Sequence, residues 1–157
     1  MMKSELVFAY GSNMDPAQMR ERCPESDLWW FIAEARDWKL YFPRKSNQRR
    51  GGVGSITKQV GSSVWGVVFA VSEHDLARLD RYEGLGSHAY RRDLVDLLDE
   101  GGRHITAWTY FAIPHGEEEY RPHRDYIAIY VRGAIYCGLP DAYLKSLNDL
   151  KDNAATD

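Results

Sequence analysis

Strand-like segments dominate the first two thirds of this chain and leave few folds open to it. Short runs rich in aromatic and β-branched residues alternate with turn residues, a pattern typical of β-strands. The predicted strands are residues 5–10, 28–36, 38–42, 53–57, 64–71, 90–98 and 104–113. Helical patterns are confined to residues 16–22, 73–82, 124–136 and 141–150.

This order of elements, with most strands first and most helices last, predicts an α+β fold. We expect a small, mixed, barrel-like β-sheet with helices packed against its outside. Periodicity does not distinguish an open sheet from a closed barrel. The Trp29-Trp30 pair suits either a core or a subunit interface, so a monomer and a homodimer both stay open.

Two helix starts carry local signals. Asp15 followed by Pro16 is typical of an N-cap and a first helical residue. Ser72 is a second candidate N-cap, and Asp75 lies three residues later, where a capping box expects an acid or an amide. We therefore expect helices to begin at these two places.

The length of the chain, 157 residues, suits a single domain. We predict one domain over residues 1–150 and a frayed tail over residues 151–157. The formal net charge is only −3, which argues against a polybasic nucleic-acid binder. A local basic run, Arg44-Lys45 and Arg49-Arg50, falls in a predicted loop at residues 43–50. A solvated loop, a contact to an anion and a lid over a cavity all fit this run.

The cysteines and the hydropathy pattern predict a cytoplasmic protein. Cys23 and Cys137 form no Cys-x-x-Cys pair and are expected to be reduced thiols. No stretch approaches the roughly 20 apolar residues of a membrane span, and the first residues lack the apolar core of a signal peptide. The five histidines have no metal-ligand spacing, so we predict neither a metal nor another cofactor. We expect a small-molecule partner, and neither nucleic acid nor membrane.

The first candidate site is the segment Tyr10-Gly11-Ser12-Asn13. It joins the end of a predicted strand to the start of a short helix, so that several backbone N–H groups can point at one anion or oxyanion. An ordinary tight turn without a ligand fits the same residues.

The second candidate is Glu83, at the end of the predicted helix that Leu76 and Leu79 anchor. The side chain lies four residues after Leu79, near the buried face and near the negative end of the helix dipole, and both raise the pKa of a carboxyl group. Such a group suits proton transfer near neutral pH. A solvated glutamate at a frayed helix end is the alternative, and Asp80 is a rival carboxylate.

Several segments, taken together and in this order, resemble the γ-glutamylcyclotransferase family. They are Phe-Ala-Tyr-Gly-Ser-Asn at 8–13, Val-Trp-Gly-Val-Val-Phe at 64–69, Leu-Asp-Arg-Tyr-Glu-Gly at 79–84, Tyr90, Tyr126, Gly133-Ala134 and Gly138-Leu139-Pro140. The resemblance implies the AIG2-like small mixed barrel with flanking helices. It also implies that Glu83 is the catalytic acid and base. In the same way it implies that residues Tyr10, Gly11, Ser12, Asn13, Tyr90 and Tyr126 bind the substrate.

The activity that the resemblance implies is cyclisation of a γ-glutamyl amide to 5-oxoproline with release of an amine, as in glutathione metabolism. Ser12-Asn13 after Tyr-Gly points to the branch that acts on γ-glutamyl amino acids. Two alternatives stay open. The same chemistry can remove a γ-glutamyl group from a biosynthetic intermediate, and a non-catalytic small-molecule binding module can use the same fold.

Overall fold

Five β-strands close into a barrel. In the computed structural model, which describes residues 4–157, they are β1 (Ser4–Ala9), β2 (Trp30–Ser46), β3 (Gly51–Ser72), β4 (Tyr90–Asp99) and β5 (His104–Ala112). Their order around the barrel is β1-β3-β2-β4-β5. Strand β1 runs parallel to β5, and the other neighbouring pairs are antiparallel, so the sheet is mixed.

Helices flank this barrel. They are α1 (Pro16–Arg22), α2 (Glu73–Tyr82), α3 (Arg124–Cys137) and α4 (Asp141–Asp152). The prediction of an α+β fold with a barrel-like mixed sheet is confirmed, and the barrel is closed. Within the described residues, no helix has the length and apolar character needed to cross a membrane.

The long hairpin of β2 and β3 replaces four shorter predicted strands. The expected breaks at Asp37 and Gly61 are bulge residues with positive φ, 65° and 89°, and the Gly61 amide donates to Asp37 Oδ1 at 3.0 Å. The β2–β3 register shifts at Asp37 and again around Pro43. Turn-forming residues in a long strand bend it through a bulge without ending it. The predicted loop at 43–50 is therefore wrong in part, because β2 continues to Ser46.

Alternate residues of β1 face two different cores. Phe8 of β1 and Tyr10, directly after β1, belong to a cluster built otherwise from strand residues, which fills the barrel. Val7 and Ala9 belong to a second cluster, which joins the outside of the barrel to the helices. This alternation places the end of β1 between the barrel interior and α3, where Tyr10 leads into the loop that follows.

The start of α2 matches its predicted cap only in part. Ser72 Oγ accepts from the Asp75 amide at 3.1 Å, as an N-cap does. The Asp75 carboxylate does not return to Ser72. It accepts from Ser26 Oγ, and Ser26 Oγ in turn accepts from the Ser72 amide at 2.8 Å. The capping box is closed through a residue 46 positions earlier, which local spacing cannot reveal.

The predicted frayed tail is wrong. Helix α4 extends to Asp152, and Ala154 after it is buried. The Arg124 amide donates to Ala155 O at 2.8 Å, and the Ala155 amide donates to Pro122 O at 2.9 Å. These backbone bonds attach the last residues beside the start of α3.

Of the two places considered for the tryptophan pair, the core is excluded, because Trp29 and Trp30 are both exposed.

We predict that deletion of residues 153–157 lowers the free energy of unfolding by about 1–3 kcal/mol, because it removes the backbone hydrogen bonds that join Ala155 to Pro122 and Arg124 and uncovers the site of Ala154. Urea unfolding followed by circular dichroism measures the change. Asp157→Ala, which keeps the backbone bonds, is the control and should lose less. Equal stability of the deleted and full chains would contradict the packed tail.

Candidate active site

A cavity bounded by β1, α2, β4 and α3 brings together all seven residues that were predicted to form the site. Its lining includes the predicted set Tyr10, Gly11, Ser12, Asn13, Glu83, Tyr90 and Tyr126. The loop after β1, the end of α2, the start of β4 and the first turn of α3 bring these residues together. The inner space is narrow, about 40 Å³.

The loop from Gly11 to Asn13 forms one wall of this cavity. Ser12–Met14 is a single 3-10 turn, and the Met14 amide donates to Gly11 O at 3.2 Å. A Cβ atom at Gly11 would lie 2.9 Å from the Tyr130 ring, so only glycine lets α3 approach this closely. The backbone N–H groups of Gly11, Ser12 and Asn13 donate to no acceptor within residues 4–157. They are available to a bound anion.

Glu83 is the C-cap residue of α2, and its amide donates to Leu79 O at 2.9 Å. Gly84 follows with φ of 70°, a left-handed conformation that turns the chain away from the helix. This turn leaves the half-buried Glu83 side chain in the cavity wall. Burial raises the pKa of Glu83, while the Asn13 hydrogen bond and the charges of Arg22 and Arg49 lower it, and the net shift is upward.

Asn13 connects the loop to the acid. Its Nδ2 donates to Glu83 Oε1, and its Oδ1 accepts from Arg22 Nη1. Two protein partners thus engage the side-chain amide, and the backbone N–H of Asn13 is without an acceptor among the described residues. We regard Asn13 as the residue that positions Glu83.

The rival carboxylate, Asp80, is engaged elsewhere. Tyr110 Oη donates to Asp80 Oδ1 at 2.7 Å, and Arg92 Nε lies 3.0 Å from the same oxygen. Asp80 does not line the cavity. It holds Tyr110 and Arg92 in place and leaves Glu83 as the carboxylate of the site.

The three predicted tyrosines differ in how free their hydroxyl groups are. Tyr10 donates to Tyr110 O, and Tyr126 accepts from the Gly54 amide at 3.0 Å. Tyr90 makes no side-chain hydrogen bond inside the described part of the chain. Burial raises the pKa of all three hydroxyls, so they remain neutral donors at physiological pH.

Sequence reasoning missed several residues of this cavity. Tyr130 lines it and pairs with Tyr126 through their hydroxyl oxygens at 2.8 Å. The spacing of four residues on one helix is the signal that would have found Tyr130. Gly54 and Tyr110, which also line the cavity, carry no such local signal because strand pairing brings them there.

A wider, basic space adjoins the inner cavity, and we call it the vestibule. It is about 340 Å³ and shares Ser12, Glu83, Tyr90 and Tyr126 with the inner cavity. Its other walls include Arg22, Arg44, Ser46, Gln48, Arg49 and Tyr82. The predicted basic run therefore contributes two arginines, Arg44 and Arg49, to the opening of the site.

No group of three or more His, Cys, Asp or Glu residues among positions 4–157 is arranged to hold a metal ion. Cys23 and Cys137 are both buried as free thiols outside the cavity. The groups present in the cavity are a carboxylate, tyrosine hydroxyls and backbone amides. They can bind an anion, transfer a proton and stabilise a developing oxyanion.

Comparison with known proteins agrees with this arrangement. The model of the AIG2-like family matches residues 63–147. The γ-glutamylcyclotransferase of Bos taurus is 33% identical over 155 residues, which cover 96% of this chain and 81% of the bovine protein. The chain belongs to the γ-glutamylcyclotransferase family. The human γ-glutamylcyclotransferase is 32% identical over 158 residues, which cover 98% of this chain and 82% of the human protein.

A solved structure of a γ-glutamyl cyclotransferase is also similar. It is 30% identical with a TM-score of 0.85 and covers 99% of this chain and 90% of its own. The resemblance inferred from the sequence segments is confirmed, and so is the fold that it implied. As a member of the γ-glutamylcyclotransferase family, the chain is an enzyme of that type.

We predict that Asn13→Ala lowers kcat/KM by at least about tenfold at neutral pH and moves the acid limb of the pH profile upward. Loss of the Asn13 hydrogen bond removes a contact that lowers the pKa of Glu83, so its carboxylate forms only at higher pH. Initial rates across the pH range measure this change.

Asn148→Ala, on α4, serves as the matched control, because Asn148 bonds only within its own helix, to Leu144 O. This variant should keep the wild-type profile. An Asn13→Ala enzyme whose acid limb stays in place would show that Asn13 does not set the ionisation of Glu83.

Proposed function

We propose that the protein cyclises γ-glutamyl amides to 5-oxoproline and releases a free amine, with Glu83 as acid and base. One observation carries this proposal. Asn13 holds a half-buried carboxylate of raised pKa beside three unused backbone N–H groups in a narrow cavity. The family to which the chain belongs supports the same chemistry.

The substrate carries its own nucleophile. The α-amine of the γ-glutamyl group attacks the γ-carbonyl carbon, closes a five-membered ring and forms a tetrahedral oxyanion. The bond from this carbon to the amide nitrogen then breaks. A cavity that folds the substrate into the ring geometry contributes by proximity, an effect worth on the order of 7–11 kcal/mol in favourable cases. The narrowness of the inner cavity supports this role.

Glu83 can serve both proton transfers. Its carboxylate accepts a proton from the α-ammonium and makes the amine nucleophilic. The resulting carboxylic acid donates this proton to the leaving nitrogen as the amide bond breaks. The second proton that the ring nitrogen loses passes to the released amine, which leaves as its ammonium ion. A raised pKa brings the two protonation states of Glu83 closer in free energy, which suits a group that changes state twice per turnover.

The loop after β1 supplies fixed donors. The N–H groups of Gly11, Ser12 and Asn13 are candidates to bind the oxyanion or the α-carboxylate of the substrate, and Ser12 Oγ adds a donor. Because the backbone is already in place, these dipoles need little reorganisation during the reaction. The free hydroxyl of Tyr90 is a further donor, whereas Tyr10 and Tyr126 shape the cavity through hydroxyls already engaged with protein.

The proposal leaves room for more than one leaving amine. Removal of a γ-glutamyl group from a biosynthetic intermediate uses the same steps and differs only in the group that enters the vestibule. A role in glutathione metabolism and a cytoplasmic location belong to this proposal, and the buried free thiols Cys23 and Cys137 support a reducing compartment. A panel of γ-glutamyl amides with 5-oxoproline readout separates the leaving groups.

We predict that Glu83→Gln folds but forms 5-oxoproline from γ-glutamyl dipeptides at least about 100-fold more slowly, because an amide can neither accept nor return the proton. Chromatographic quantification of 5-oxoproline gives the rates, and thermal unfolding checks the fold. Glu73→Gln is the matched control, since Glu73 is exposed at the other end of α2. Wild-type activity in Glu83→Gln would rule out this acid and base.

Glu83→Gln should also change stability in a pH-dependent way. Because the pKa of Glu83 is raised above 4.5 in the folded chain, the unfolded chain releases this proton first as the pH rises. Wild type therefore loses stability relative to Glu83→Gln between about pH 4 and the folded pKa. We expect the melting temperature of Glu83→Gln minus that of wild type to increase from pH 4 to pH 8. If this difference in melting temperature stays constant or decreases, the raised pKa is contradicted.

A further inference from the structure

The vestibule is strongly cationic. Among its charged lining residues, Arg22, Arg44 and Arg49 face the single carboxylate of Glu83. Guanidinium groups stay charged at all relevant pH values. An excess of positive charge beside the reacting centre attracts anionic groups.

Two of these arginines have no carboxylate partner within residues 4–157. Arg44 Nη1 donates to the carbonyl oxygen of Ile113 at 3.3 Å, and the Arg49 guanidinium lies over the Tyr126 ring, 5.5 Å from its centre. Both side chains are half-buried. The adjacent Arg50 differs, because it pairs with Asp125 and Asp157 on the surface.

Arg22 is less available. It donates to Asn13 Oδ1, and its guanidinium lies over the Tyr82 ring, 4.8 Å from the centre. These contacts tie Arg22 to the positioning of Glu83. The vestibule therefore presents two half-buried cations, Arg44 and Arg49, that form no ion pair with a described carboxylate, although the charge of Arg49 also acts on Glu83 from a distance.

The position of Glu83 fixes which part of a substrate reaches these cations. Glu83 lines both the inner cavity and the vestibule. If the γ-glutamyl group is folded in the inner cavity, the scissile nitrogen lies beside Glu83 and its substituent extends into the vestibule. An ordinary leaving amino acid brings one carboxylate to this space, and an acidic one brings two.

We propose that the vestibule selects γ-glutamyl dipeptides whose leaving residue is acidic, with Arg44 and Arg49 binding its two carboxylates. This inference rests on the proposed cyclotransferase function and narrows its substrate class. It is carried by the match between two half-buried cations without an ion-pair partner and the two carboxylates of an acidic leaving residue. Charged groups held in a partly desolvated space discriminate better than the same groups on an open surface.

The test compares two substrates of nearly the same shape, γ-glutamylglutamate and γ-glutamylglutamine. We expect wild type to prefer the acidic substrate by about fivefold or more in kcat/KM, a range consistent with partly screened charge pairs. Arg49→Gln and Arg44→Gln should each lower this ratio, and the double variant should bring it to about one. The ratio within one enzyme cancels any change in the ionisation of Glu83.

Lys45→Gln is the matched control. Lys45 lies next to Arg44 on β2 but is exposed and outside the vestibule lining. Lys45→Gln removes one positive charge from β2, as Arg44→Gln does, and should leave the ratio of the two kcat/KM values as in wild type. Rising salt should lower the wild-type ratio, because screening weakens charge pairs. That measurement needs no variant and applies even if an arginine substitution prevents folding.

The experiment separates failure of the acidic selectivity from failure of the cyclotransferase function. If wild type forms 5-oxoproline from both substrates at equal kcat/KM, or if the double variant and high salt both leave the preference intact, the acidic selectivity is refuted and the cyclotransferase function stands. If neither these dipeptides nor any other γ-glutamyl amide yields 5-oxoproline, the proposed function fails, and the inference fails with it.

Discussion

The side chain of Asn13 is the contact on which the arrangement of the site depends. One end of its amide donates to Glu83 and the other accepts from Arg22, so it joins the loop after β1 to the end of α2 and to α1. The donated hydrogen bond and the two nearby arginines, Arg22 and Arg49, oppose the effect of burial on Glu83. The net result is a pKa of Glu83 above its ordinary value.

Close backbone approach makes the rest of the cavity possible. Gly11 and Gly54 leave the space that the Tyr130 side chain fills, and Gly133 lets α3 pack against Met14 of the 3-10 turn. Helix α3 can therefore pack close to the loop after β1 and to Gly54 of β3. Tyr126 and Tyr130 then present their hydroxyls to the same small space that Glu83 and the loop line.

The sequence predicts those parts of the fold that depend on neighbours in the chain. The start of α2 at its Ser72 cap follows from local chemistry, as does the end of α3 at Gly138, where φ is 77°. The two long strands were not predictable in this way, because Asp37 and Gly61 read as turns unless strand pairing is known. The packed tail was missed for the same reason, since its partners lie near residue 123.

In the site, too, the features set by neighbouring residues are predictable and those set by distant contacts are not. Family resemblance and the position four residues after Leu79 single out Glu83 from the sequence, with Asp80 as a rival carboxylate one helical turn earlier. Only the folded chain separates the two carboxylates, because Asp80 is bound by Tyr110 while Glu83 faces the cavity. The role of Asn13 as a link was likewise hidden, since its partner Glu83 is 70 positions away.

In the mechanism that we propose, ionisation of the half-buried Glu83 carboxyl controls turnover. The most direct measurement is a carbon-13 NMR titration of the Glu83 carboxyl, assigned by its loss in Glu83→Gln, beside the pH dependence of kcat/KM in the same buffer. We expect a pKa above 4.5 that coincides with the acid limb of the rate profile. A carboxyl that titrates at or below its ordinary value, or an acid limb that does not follow its titration, would contradict the role of Glu83.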